Sequence, residues 1–141
     1  MNNRFRHDFP NFGVEIDIPE DLTIRQYNPP PMDTLKLGSE AFTPLRMVID
    51  FDIFDRKEGT RILSEVKLRV YFTEAEFIFT EGNLKLAFWN KKLNPPDWED
   101  LQNQKTSSFG QPQWTGRGIS YFGYIEATQP NWGDPPIALG R

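Results

Sequence analysis

Apolar residues recur at every second position in four separate stretches of this chain, and prolines and glycines stand between them. Val14, Ile16 and Ile18 alternate with Glu15 and Asp17. Met47, Ile49, Phe51 and Ile53 alternate with Val48, Asp50, Asp52 and Phe54. Ile62 to Phe72 and Ile119 to Ala127 repeat the pattern. A period of two fits a strand with one covered face and excludes an amphipathic helix over the same residues. The chain has 141 residues, enough for one core and little more. Its 12 prolines and 10 glycines punctuate it too often for long helices.

The punctuation has local meaning. Pro29, Pro30 and Pro31 lack backbone donors, so residues 28–34 read as a polyproline II crossover. The polar run Asp55 to Thr60 reads as the turn of an antiparallel hairpin joining 46–54 to 62–72. Thr73 and Glu76 match a capping box, which predicts a helical turn over 74–79 with Phe77, Ile78 and Phe79 on the core. Leu22 to Ile24 continue the layer of the 14–18 strand. Leu84–Trp89 is a further strand, 90–97 a loop, and Trp98–Leu101 a short piece. Residues 102–116 form a long polar loop or two ragged edge strands. Ile137–Leu139 closes the fold. The expectation is an all-β, antiparallel, immunoglobulin-like sandwich of about seven or eight strands with one helical turn. Residues 13–141 make the single domain, and residues 1–12 make an extended N-terminal arm.

The run Val66-Lys67-Leu68-Arg69-Val70-Tyr71-Phe72-Thr73, an acidic turn, Leu84-Lys85-Leu86-Ala87-Phe88-Trp89-Asn90 and then Trp98 form a familiar order. Val14 to Pro19 precede it, and Ile137-Ala138-Leu139-Gly140 follow. With them the chain resembles β-sandwich modules of the ankyrin and netrin-receptor type, which also occur in large multidomain bacterial surface proteins. The resemblance implies a protein-binding or spacer role, and it carries no catalytic residue onto this chain.

Composition narrows the chemistry. There is no cysteine, hence no disulfide, thiolate nucleophile or cysteine-bound metal. The single histidine, His7, precludes a multi-histidine metal site within one chain. A net charge of −4 argues against binding to nucleic acid through counterion release. No apolar run is long enough for a membrane-spanning helix. Residues 2–10 do not read as a secretory signal. A complete chain is therefore expected in the cytoplasm, and a fragment of a larger protein at the cell surface or outside it.

Three constellations remain. Trp114, Tyr121, Phe122, Tyr124 and Trp132 gather rings near one strand, which would form core, a protein interface or a sugar-stacking platform. Phe5, Phe9 and Phe12 interleave with Arg4, Arg6 and His7, which suits a loosely packed terminus or an arm that docks on a partner. Asp50, Asp52, Asp55 and Glu58 cluster acidic oxygens that would suit calcium, the one cofactor the sequence suggests. The plainer reading is a solvated face neutralised by Arg56, Lys57, Lys67 and Arg69 across the hairpin. The sequence thus points to a non-catalytic module that binds a protein partner or a second copy within an assembly. A carbohydrate-binding module on the exposed rings is the alternative. A carboxylate-based hydrolase drawing on Asp50, Asp52, Glu65, Asp97, Glu99 and Asp100 comes third.

Overall fold

The structure is a computed structural model, and it describes residues 4–9, 12–19, 22–27, 42–55, 66–107, 120–129 and 136–141. Most of them lie in two five-stranded sheets. The first is built from β1 (Arg4–Phe9), β2 (Val14–Pro19), β5 (Val66–Phe72), β8 (Lys105–Ser107) and β9 (Gly123–Gln129). The second is built from β3 (Leu22–Tyr27), β4 (Pro44–Asp55), β6 (Lys85–Asn90), β7 (Asp97–Asp100) and β10 (Ile137–Gly140). The strand orders are β1-β2-β5-β9-β8 and β3-β4-β10-β6-β7, and every pairing is antiparallel. One short helix, α1 (Glu74–Phe79), links β5 to β6. No helix among the described residues is long and apolar enough to cross a membrane.

Alternation decides which side chains meet. Val14 and Ile16 of β2, Leu68, Val70 and Phe72 of β5 and Ile125 of β9 face Val48, Leu86, Ile137 and Leu139 of the second sheet. All are at most 1% exposed. Each such side chain removed from water contributes about 1.5–3 kcal/mol, so this layer drives the fold. The second sheet is also covered on its other side, where Phe42, Ala87, Trp98 and Ala138 are buried together. Trp98 meets Phe42 at 5.3 Å between ring centroids and Trp89 edge-on at 5.4 Å. Strand β10 lies between β4 and β6, and all of its four residues are buried. A Cβ at Gly140 would lie 2.2 Å from the Thr43 carbonyl oxygen, so only glycine lets the two backbones approach there.

Four sequence expectations change. The hairpin of 46–54 with 62–72 does not form: β4 and β5 lie in different sheets. β4 offers apolar residues at both parities, so its alternation did not identify its partner. Leu22–Ile24 do not continue the layer of β2, because β3 pairs with β4 in the second sheet. The N-terminal arm is a sheet strand over Arg4–Phe9, paired with β2 from Arg4 opposite Pro19 to Phe9 opposite Val14. Among the described residues there are ten strands, against the expected seven or eight. The crossover 28–34 and residues 108–116 of the long 102–116 loop lie outside the described residues; its described part, 102–107, contains β8.

Candidate functional site

Two surfaces collect the chemistry of the described residues. The first is the outer face of the first sheet. β2, β5 and β9 turn Glu15, Arg69 and Glu126 to this face in one transverse row, with Glu15 opposite Arg69 and Arg69 opposite Glu126. Glu15 is only 4% exposed although its position in the alternation reads as solvent-facing. It accepts a 2.7 Å hydrogen bond from the Tyr71 hydroxyl, and the Arg69 guanidinium stands 3.9 Å away. Arg69 donates to Glu126 at 2.7 Å and lies 4.2 Å over the Tyr124 ring. Lys67 reaches the other Glu126 oxygen at 3.5 Å.

Burial, together with the carboxylate of Glu15, pushes the Tyr71 hydroxyl up to about 12. Burial alone would raise the Glu126 carboxyl, but the Arg69 bond and the charge of Lys67 outweigh it and hold the group below the ordinary carboxylate value. Glu15, Asp17, Lys67, Arg69 and Glu126 border a shallow recess of about 150 Å³. Its cations are matched by carboxylates within the same face. The network therefore fixes the register of β2, β5 and β9 and offers a small ligand little unmatched charge.

The second surface is α1. Thr73 caps the helix: its hydroxyl accepts from the Glu76 amide at 3.2 Å, and Glu76 accepts from the Thr73 amide at 3.0 Å. The expected capping box is present. Arg46 of β4 then grips the same Glu76 carboxylate and donates to the Tyr71 carbonyl at 2.9 Å. Phe77 stacks on Phe72 at 5.8 Å and packs against Phe122 at 4.9 Å. Thr80, 1% exposed, returns its hydroxyl to the Glu76 carbonyl at 2.9 Å. One face of the helix is thus anchored at both ends.

The other face is not on the core, contrary to the sequence expectation for Ile78 and Phe79. These two are 65% and 69% exposed. Ala75, Ile78, Phe79 and Gly82 are all exposed and follow an i, i+3, i+4, i+7 spacing. The reason is angular. At about 100° per residue, inward-facing Glu76, Phe77 and Thr80 force Ile78 and Phe79 outward. That geometry was available in the sequence, but two apolar residues beside a core strand read as core by default. Glu74 and Glu81, both exposed, border the ridge.

Of the five expected rings, the three described ones, Tyr121, Phe122 and Tyr124, do not share one exposed face. Tyr121 is 8% exposed, with its ring 5.7 Å from Tyr71. Phe122 packs into the core against Phe72 and Phe77 instead of sharing a face with Tyr124. The alternation extends only to Gly123, where β9 begins. Tyr124 is half-buried beneath Arg69. Trp114 and Trp132 lie outside the described residues. Phe9 and Phe12 are partly buried against the core, and Phe5 takes a register position opposite Ile18.

Asp50, Asp52 and Asp55 lie along β4, opposite Tyr27, Arg25 and Leu22, and Glu58 lies outside the described residues. Lys67 and Arg69 cannot neutralise them as expected, because they belong to the other sheet. Arg25 stands opposite Asp52 instead. Among the described residues no three histidines or carboxylates gather to hold a metal ion. Asp97, Glu99 and Asp100 lie on β7, three strand steps from β4 in the same sheet. Glu65 lies outside the described residues. Comparison with protein-family models, curated proteins and solved structures finds no match.

Proposed function

We propose that this chain is a non-catalytic protein-interaction module that works as a subunit of a larger assembly, with α1 as its contact ridge. One observation carries the reading: Ile78 and Phe79 are held outward by a helix whose opposite face is fixed by a capping box, by Arg46 and by Phe77. Large apolar side chains on a rigid support lose little conformational freedom on binding, which is what an interface anchor needs. The immunoglobulin-like character and the resemblance to ankyrin and netrin-receptor-type modules belong to the same proposal, since such sandwiches serve as binding or spacer units.

The test is the double substitution Ile78→Ser with Phe79→Ser. Exposed positions of this kind change stability by no more than about 0.5 kcal/mol, so the urea midpoint stays where it is. In extracts of the expressing cell, the wild-type chain is expected in a discrete species larger than a monomer, and the double variant as a monomer. Equal elution of the two proteins, or loss of folding in the variant, overturns the proposal.

A further inference from the structure

Three large apolar side chains are markedly exposed among the described residues: Ile78, Phe79 and Leu93. They fall in two patches of opposite charge. The segment 73–83 around the α1 ridge carries Glu74, Glu76 and Glu81 and no lysine or arginine. Glu76 is held by Arg46, which leaves Glu74 and Glu81 to border Ile78 and Phe79. The loop from Lys91 to Pro96 carries Lys91 and Lys92 and no carboxylate, and all six of its residues are exposed. There Leu93, Pro95 and Pro96 supply the apolar surface. The loop also has a defined shape: the Asn90 side-chain oxygen accepts from the Lys92 amide at 2.9 Å. Its acidic neighbours are engaged at the loop base: Asp97 accepts from the Trp98 amide at 2.7 Å, and Glu99 accepts from the Asn90 side-chain amide at 3.3 Å.

The two patches sit at opposite ends of one strand. α1 and its turn lead into Lys85 at the start of β6, and the loop leaves Asn90 at its end. Six residues of strand separate them by about 17–20 Å. The patches cannot meet within one molecule, but each complements the other on a second molecule: apolar against apolar, glutamates against lysines.

We infer that copies of this chain associate head to tail, the α1 ridge of one seated on the Lys91–Pro96 loop of the next. This inference rests on the proposed interaction role and names the partner as a second copy. Such a contact is heterologous, so repetition gives a ring if the rotation closes and a filament if it does not. The alternative of two α1 ridges facing each other would set glutamates against glutamates and is disfavoured by repulsion.

Sedimentation velocity over a concentration series tests the inference with full-length protein. The wild-type chain is expected to form species that grow with concentration and retreat in high salt, where exposed charges are screened. Glu74→Lys with Glu81→Lys, and separately Lys91→Glu with Lys92→Glu, each set like charges together, and each is expected to weaken association by about tenfold or more. Mixing these two variants, or combining all four substitutions in one chain, restores opposite charges and is expected to restore association. That rescue also shows that the variants fold. A wild-type chain that stays monomeric at its highest attainable concentration overturns the head-to-tail contact while leaving the wider interaction role standing on the serine-variant test. Association indifferent to either charge reversal, or not rescued by the combination, overturns it as well.

Discussion

At the scale of single residues, the least visible feature in the sequence is Glu15. Alternation reads it as a solvated carboxylate, yet it is buried and bonded to the Tyr71 hydroxyl. Its covering partners come from a strand more than fifty positions away, and nothing near Glu15 announces them. Tyr71→Phe removes the donor and leaves a buried carboxylate short of a partner, which is expected to cost about 1–3 kcal/mol in urea unfolding. Burial of the Tyr71 hydroxyl, together with this bond to Glu15, predicts alkaline behaviour. Tyr71 in the folded protein titrates near 12, above its ordinary value of 10. A raised value means that the unfolded chain loses its proton first. The stabilisation is therefore complete below about pH 10 and is lost as pH rises towards 12. Unfolding midpoints measured across that window should fall for the wild-type chain and fall less for Tyr71→Phe. Gly123 is a second residue-scale constraint: a Cβ there would lie 2.0 Å from the Ser107 carbonyl oxygen and 2.9 Å from the Phe72 ring. Gly123→Ala is expected to lower the melting temperature sharply, because backbone and core must both move.

At the scale of elements, the helix was the most legible part. Thr73 and Glu76 form the box that their spacing announces. Thr73→Ala should cost about 1 kcal/mol and reduce protection of the α1 amides in hydrogen exchange. Gln104 was not legible at all. Its side-chain amide accepts from the Leu86 amide and donates to the Leu86 carbonyl, both at 2.8 Å, and so stands in for a neighbouring strand. A glutamine in a polar stretch carries no mark of such a role. Gln104→Leu strands the Leu86 amide, while the Leu86 carbonyl keeps its bond from the Leu101 amide at 3.1 Å, and is expected to destabilise by about 1–3 kcal/mol. Strand β1 makes a further element-scale prediction. Because Arg4–Phe9 pairs along all of β2 and Phe9 touches the core, deleting residues 1–9 should lower the urea midpoint, whereas removal of a loose arm would leave it unchanged.

At the scale of the whole molecule, alternation told which residues of each strand meet the core but not which strands lie side by side. β4 and β5 look like a hairpin because they are neighbours in sequence, and they end in opposite sheets. β10 looks like a trailing strand and is buried in the middle of the second sheet. Pairing is decided by inter-sheet packing and by close approaches such as that at Gly140, which leave only faint traces in the sequence. The same packing sets what the finished sandwich shows to its surroundings. The charged face of the first sheet is knitted together internally, while the α1 ridge is rigid, apolar and outward. The claim that this ridge is a contact surface is tested most directly by a photoreactive amino acid placed at position 79 in the expressing cell, with exposed position 8 on the edge strand β1 as control. The account predicts one dominant cross-linked product from position 79, abolished by Ile78→Ser and absent from position 8. Equal and diffuse labelling from the two positions would contradict it.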